Sequence, residues 1–102
     1  MRERSIEEYL RERVKEAGGR AYKFVSLGNA GVPDRLVMLP GGRLVFAELK
    51  APGKKPTALQ RAQGRFIRNQ GLPVVVVDSK EGVDELIQKM TEAGGIPPWP
   101  EE

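Results

Sequence analysis

The sequence has no cysteine and no histidine among its 102 residues. Without cysteine there is no disulfide framework and no thiolate metal site, so a cytoplasmic protein is the default expectation. Without histidine, Ser–His and Cys–His nucleophile pairs and the common zinc sites are excluded as well. Any catalysis must therefore rest on carboxylates, lysine and a hard cation bound through oxygen. No apolar run approaches the ~20 residues of a membrane span. The N-terminal "MRERSIEEYL" lacks the apolar core of a signal peptide. Neither a membrane nor an organic cofactor is expected. With hydrophobic residues at 39% and charged residues at 30%, the chain reads as one globular domain with a modest core.

Acidic residues are also missing from one long window. Between Ala51 and Val77 there is none, while Lys54, Lys55, Arg61, Arg65 and Arg68 fall inside it. The net charge is only +3, so this local bias says more than the total. It suits a phosphate backbone, and it equally suits a solvated helix face.

Periodicity divides the chain into seven elements. Ser5 with Glu8 has the form of a capping box and predicts a helix from Ser5 to about Ala17, ended by Gly18-Gly19. Ile6, Leu10, Val14 and Ala17 share its apolar side, with Glu7 at the edge of that stripe and Glu8 pointing away. "AYKFVS" reads as a strand and "LGNAGVP" as a loop. "RLVML" and "LVFAELK" form a hairpin around Pro40-Gly41-Gly42-Arg43. Thr57 caps a second helix reaching about Gln70. "PVVVV" reads as a strand covered on both faces, and Ser79 caps a third helix. The α-β-β-β-α-β-α order indicates an α/β fold, a mixed sheet flanked by helices. A single folded domain of residues 1–93 precedes a proline-rich tail, 94–102, in which Ile96, Pro97, Pro98 and Trp99 could pack on a partner subunit or fold back.

The third strand turns from apolar to charged without changing face. Leu44, Phe46, Glu48 and Lys50 alternate onto one side, and ionised groups beside apolar surface need partners or a metal. The strand could simply leave the core at Glu48. The hairpin register decides what faces Glu48. A two-residue Gly41-Gly42 loop turns Asp34 away from it. A three-residue Gly41–Arg43 loop places Asp34 across from Lys50, so that Asp34, Glu48 and Lys50 share a face at the rim of the core, continued inward by Leu36, Met38, Leu44 and Phe46. Two carboxylates with a lysine alongside form a metal-binding arrangement.

Pro33-Asp34, thirteen intervening residues and then Glu48-Leu49-Lys50 resemble the signature of the PD-(D/E)XK nuclease superfamily. More narrowly, "GGRAYKFVSLGNAGVPDRLVMLPGGRLVFAELKAPGKKPTALQ" resembles the virus-type replication-repair nuclease (VRR-NUC) domain, a restriction-endonuclease-like fold. The resemblance runs from about Ser5 to Val83. It implies an endonuclease that hydrolyses DNA phosphodiesters with Mg²⁺ or Mn²⁺. Asp34 and Glu48, with the Leu49 carbonyl, would be the metal ligands and Lys50 the group acting on the water or the phosphate. A glutamate of the first helix would complete the site. Glu7 is preferred by its place on the stripe, and Glu3 ranks below it because it precedes the expected cap. Gln60 would be the family's site glutamine, although Thr57 and Gln60 also spell a capping box. Lys54, Lys55, Arg61, Arg65 and Arg68, with Lys23 and Arg35 nearer the site, would contact DNA. Branched DNA such as a Holliday junction, a homodimer, and replication or repair in a bacterial or phage-infected cell are further implications. Alternatives are a non-catalytic DNA-binding module with this fold and a restriction-type, sequence-specific enzyme.

Overall fold

A computed structural model describes residues 2–92; the tail and its Trp99 lie outside the described residues. The elements follow the expected order: α1 (Glu3–Glu16), β1 (Arg20–Lys23), β2 (Arg35–Leu39), β3 (Arg43–Leu49), α2 (Ala58–Asn69), β4 (Val74–Val77) and α3 (Lys80–Thr91). The strands form one sheet in the order β1-β2-β3-β4. The first three are antiparallel neighbours, and β4 runs parallel to β3 after the crossover through α2.

Helix α1 departs from its expected start. Arg2 is the N-cap residue, with no side-chain cap, and Ser5 lies inside the first turn donating its N–H to the Arg2 carbonyl. The Ser5–Glu8 box is therefore not formed. Thr57 and Ser79 do cap: Thr57 Oγ1 accepts from Gln60 N, and Ser79 Oγ accepts from Gly82 N at 2.9 Å. Those capped helices begin where turn residues meet apolar periodicity.

The main core lies on the face opposite the charged one. Ile6, Leu10 and Val14 of α1 and Val83, Leu86 and Met90 of α3 pack with Val37, Leu39, Val45, Ala47, Leu49, Val75 and Val77. Helix α2 covers the other face, where Val74 is fully buried but Met38 and Leu44 remain over a third exposed. The expectation that Leu36, Met38, Leu44 and Phe46 lead inward from the site is thus corrected. They line the side served by one helix, while two helices seal the other. Strand β4 sits at the sheet edge, yet Val74, Val75 and Val77 are buried because helices flank both its faces.

Candidate active site

The hairpin takes neither of the two anticipated registers. Leu39 pairs with Arg43, so the loop is Pro40-Gly41-Gly42, with both glycines at positive φ (91° and 75°). Arg35 then pairs with Ala47, which places Asp34 directly across from Glu48 rather than from Lys50. The shift is by two residues, so the alternation of faces is preserved and Asp34, Glu48 and Lys50 still share a side.

Each of the three is held by its neighbours. Pro33 is buried ahead of Asp34, whose carbonyl accepts from Phe24 N at 2.8 Å and whose Oδ1 accepts from Leu49 N at 3.0 Å. In a strand a residue's N–H and C=O point to the same side, so the Leu49 carbonyl also faces Asp34. Lys50 N donates to Val77 O at 3.0 Å, which anchors the end of β3 to β4. The Lys50 Nζ lies 3.7 Å from Glu48 Oε2.

Glu48 is the one buried charged residue among the described residues, with 4% of its surface exposed. Burial pushes its carboxyl up from the ordinary 4.5 to about 7. The Asp34 charge opposite adds to this, Lys50 works against it, and Glu3 raises it further. A buried carboxyl facing a second carboxylate forms a site short of positive charge. The donors are all oxygen: Asp34, Glu48 and the Leu49 carbonyl. That set fits a hard divalent cation such as Mg²⁺ or Mn²⁺. No three acidic residues converge closely enough to hold an ion among the described residues, so the remaining positions would fall to water and phosphate oxygens.

Gln60 both caps α2 and reaches Glu48. Its Oε1 accepts from Thr57 N at 2.9 Å, completing the capping box, while its Nε2 donates to Glu48 Oε2 at 3.1 Å. The cap fixes which end of the amide faces the carboxylate.

The first-helix carboxylate is where geometry departs most from expectation. Glu7 is paired with Arg11 Nε at 2.8 Å and lies 3.9 Å from an Arg35 nitrogen. Arg35 opposes Ala47 on the core face, with only 12% of its side chain exposed. Its Nη1 donates to the Asp34 carbonyl at 2.8 Å. Lys23, paired with Arg35 in register, is exposed on that same face. Glu7, Arg35 and Lys23 thus stand on the opposite side of the sheet from Lys50. Glu3 is the α1 carboxylate whose charge bears on Glu48. Glu3 follows the N-cap Arg2 rather than preceding the cap, since α1 begins at Glu3.

The cations of the acid-free window divide. Lys54 and Lys55 are exposed and line a cleft of about 210 Å³ with Gly53, Pro56, Val76 and Asp78. Arg65 is exposed on α2, and Arg68 is half-buried. Arg61 is half-buried too, and its Nη1 donates to the Pro56 carbonyl at 2.7 Å, bracing that loop. A second basic groove, about 490 Å³, lies between α1 and β1 and includes Arg11, Lys15, Arg20 and Tyr22. Sequence reading missed it because two elements supply its cations.

No family model matches the sequence. A protein described as "Putative nuclease p44", from Acyrthosiphon pisum secondary endosymbiont phage 1, is 51% identical over 81 residues, covering 79% of this chain and 87% of that protein. A solved structure described as a VRR_NUC domain superposes with a TM-score of 0.78 at 37% identity, over 84% of this chain and 94% of its own. This chain belongs to the VRR-NUC family. The four-stranded sheet with its flanking helices is the fold shared with that VRR-NUC domain.

Proposed function

We propose that this VRR-NUC protein is a metal-dependent endonuclease that hydrolyses DNA phosphodiesters. The observation that carries the reading is the facing pair Asp34 and Glu48 with the Lys50 ammonium 3.7 Å from Glu48. A Mg²⁺ or Mn²⁺ ion held by Asp34, Glu48 and the Leu49 carbonyl would supply an acidified water and neutralise the non-bridging oxygens. Gln60 keeps the Glu48 carboxylate turned toward the site through its 3.1 Å bond. Lys50, with 16% of its side chain exposed, can reach the water or the phosphate while its charge is balanced by Glu48. Glu3, in place of Glu7, is the helix-one carboxylate of this reading.

Lys54 and Lys55 beside the site, and Arg65 on α2, supply sequence-independent backbone contacts. Branched DNA is the proposed substrate class and a homodimer the proposed assembly, since a twofold axis matches two equivalent strands. Residues 1–93 would be the nuclease domain, in a cytoplasm where DNA is replicated or repaired. A non-catalytic binding module is disfavoured because Asp34, Glu48 and Lys50 are all present.

Incubation with four-way junction, flap, fork and linear duplex in Mg²⁺ or Mn²⁺ tests the reading. Wild type should nick DNA, with branched forms cut faster. Asp34→Ala, Glu48→Ala and Lys50→Ala should each lose ~10²-fold or more of that rate while remaining folded. No cutting of any substrate in either metal would refute the assignment.

A further inference from the structure

The loop between β1 and β2 carries a side chain that neither the core nor the catalytic site uses. Leu27 is 91% exposed, the highest value among the large hydrophobic residues described, and Val25 beside it is 64% exposed. An isolated exposed leucine is ordinary. This one is held out on a hydrogen-bonded turn. Asn29 N donates to Ser26 O at 3.2 Å, with Gly28 at φ 81° in the third position of the turn. The Asn29 amide also bonds Ser26 Oγ at 3.0 Å and Leu27 O at 3.4 Å. Farther on, Gln63 Nε2 of α2 donates to Ala30 O at 3.1 Å. Gly31 at φ 87° lies so close to α2 that a Cβ there would meet Leu59 Cγ at 2.7 Å.

The base of this arm is the catalytic strand end itself, where Phe24 N bonds Asp34 O at 2.8 Å. Leu27 is three residues from Phe24, so its Cα lies within about 11 Å of that closure. That is roughly three base steps at about 3.4 Å each. Apolar wedges of this kind enter DNA between base steps that are easily unstacked. A rigid arm suits such a part, because its ordering has already occurred before DNA arrives.

We propose that Leu27 is an apolar wedge that packs into the base stack of DNA near the scissile phosphate, favouring substrates whose bases are already unstacked at a branch. The proposal rests on the nuclease reading for the identity of its occupant. The wedge makes Leu27 a specificity residue, separate from the groups that perform hydrolysis.

The test uses the full chain carrying Lys50→Ala, a four-way junction with 2-aminopurine at the branch, and the same label in linear duplex. Binding of this parent should raise 2-aminopurine emission on the junction. Adding Leu27→Ser should leave the melting temperature unchanged, weaken junction binding roughly ten- to a hundredfold and abolish the emission change. Adding Leu27→Met should preserve both. A Leu27→Ser form that binds and unstacks the junction as its parent does overturns the wedge, as does a parent that leaves emission unchanged. Wild type that cuts no DNA overturns the nuclease reading instead, and the emission arm still decides the wedge.

Discussion

Glu48 is carried into a place with 4% exposure, opposite a second carboxylate, and its pKa rises to about 7. A carboxyl whose folded pKa exceeds its unfolded value releases its proton more readily when the chain unfolds. Stability of the metal-free protein should therefore be highest near pH 4.5 and below as far as this residue is concerned. It should decline as pH rises from about 4.5 to about 7 and level off above. Calorimetry in EDTA across pH 5 to 8 should show that decline, and Glu48→Gln should flatten it, raising stability at pH 8 by on the order of 1–3 kcal/mol. Added Mn²⁺ should stabilise wild type more at pH 8 than at pH 6, because the ion competes with the proton. Asp34 and Glu48 were both legible as candidates from the motif spacing. Their direct opposition was not, since it depends on a loop that includes Pro40.

The helices show where local rules suffice and where they fail. Helix α2 starts at its predicted cap because Thr57 and Gln60 satisfy each other within one turn. Removing Thr57 by Thr57→Ala should cost about 1 kcal/mol and leave cleavage near wild type. Gln60→Ala should cost a similar amount and also slow cleavage, since the bond to Glu48 goes with it. Denaturant titration beside single-turnover cleavage separates the two effects. Helix α1 begins before its predicted cap, and that small difference moves Glu3 into the first turn. Glu7 is taken by Arg11 and stands 3.9 Å from Arg35, partners that the apolar stripe of α1 does not reveal. Gly19 tells the same story. A Cβ there would meet the Met38 carbonyl at 1.8 Å, so the passage from α1 to β1 admits no side chain, although the sequence shows only a pair of glycines.

Among the described residues, the sheet has one well-sealed face and one face under a single helix. On the second, Met38, Leu44 and Tyr22 are exposed at 38%, 36% and 45% of their surface. Glu48 stands on this side, opposite the face sealed by α1 and α3. Multi-angle light scattering at micromolar concentration should give twice the monomer mass if a homodimer forms; a monomeric mass would remove the twofold arrangement while leaving the hydrolytic site intact. No helix among the described residues is long and apolar enough to cross a membrane.

Local chemistry alone was enough to set the order of elements, two of the three helix caps, the hard-oxygen character of the site and the alternation that puts Glu48 and Lys50 on one face. These follow from spacing and side-chain type, which are properties of adjacent residues. Packing between distant segments decided the rest: the two-residue shift of the hairpin, the pairing of Glu7 with Arg11 and its approach to Arg35, Arg35 and Lys23 on the far side, and Leu27 held outward on an arm braced by α2. Those outcomes depend on which groups meet across the sheet, and no window along the chain contains both partners.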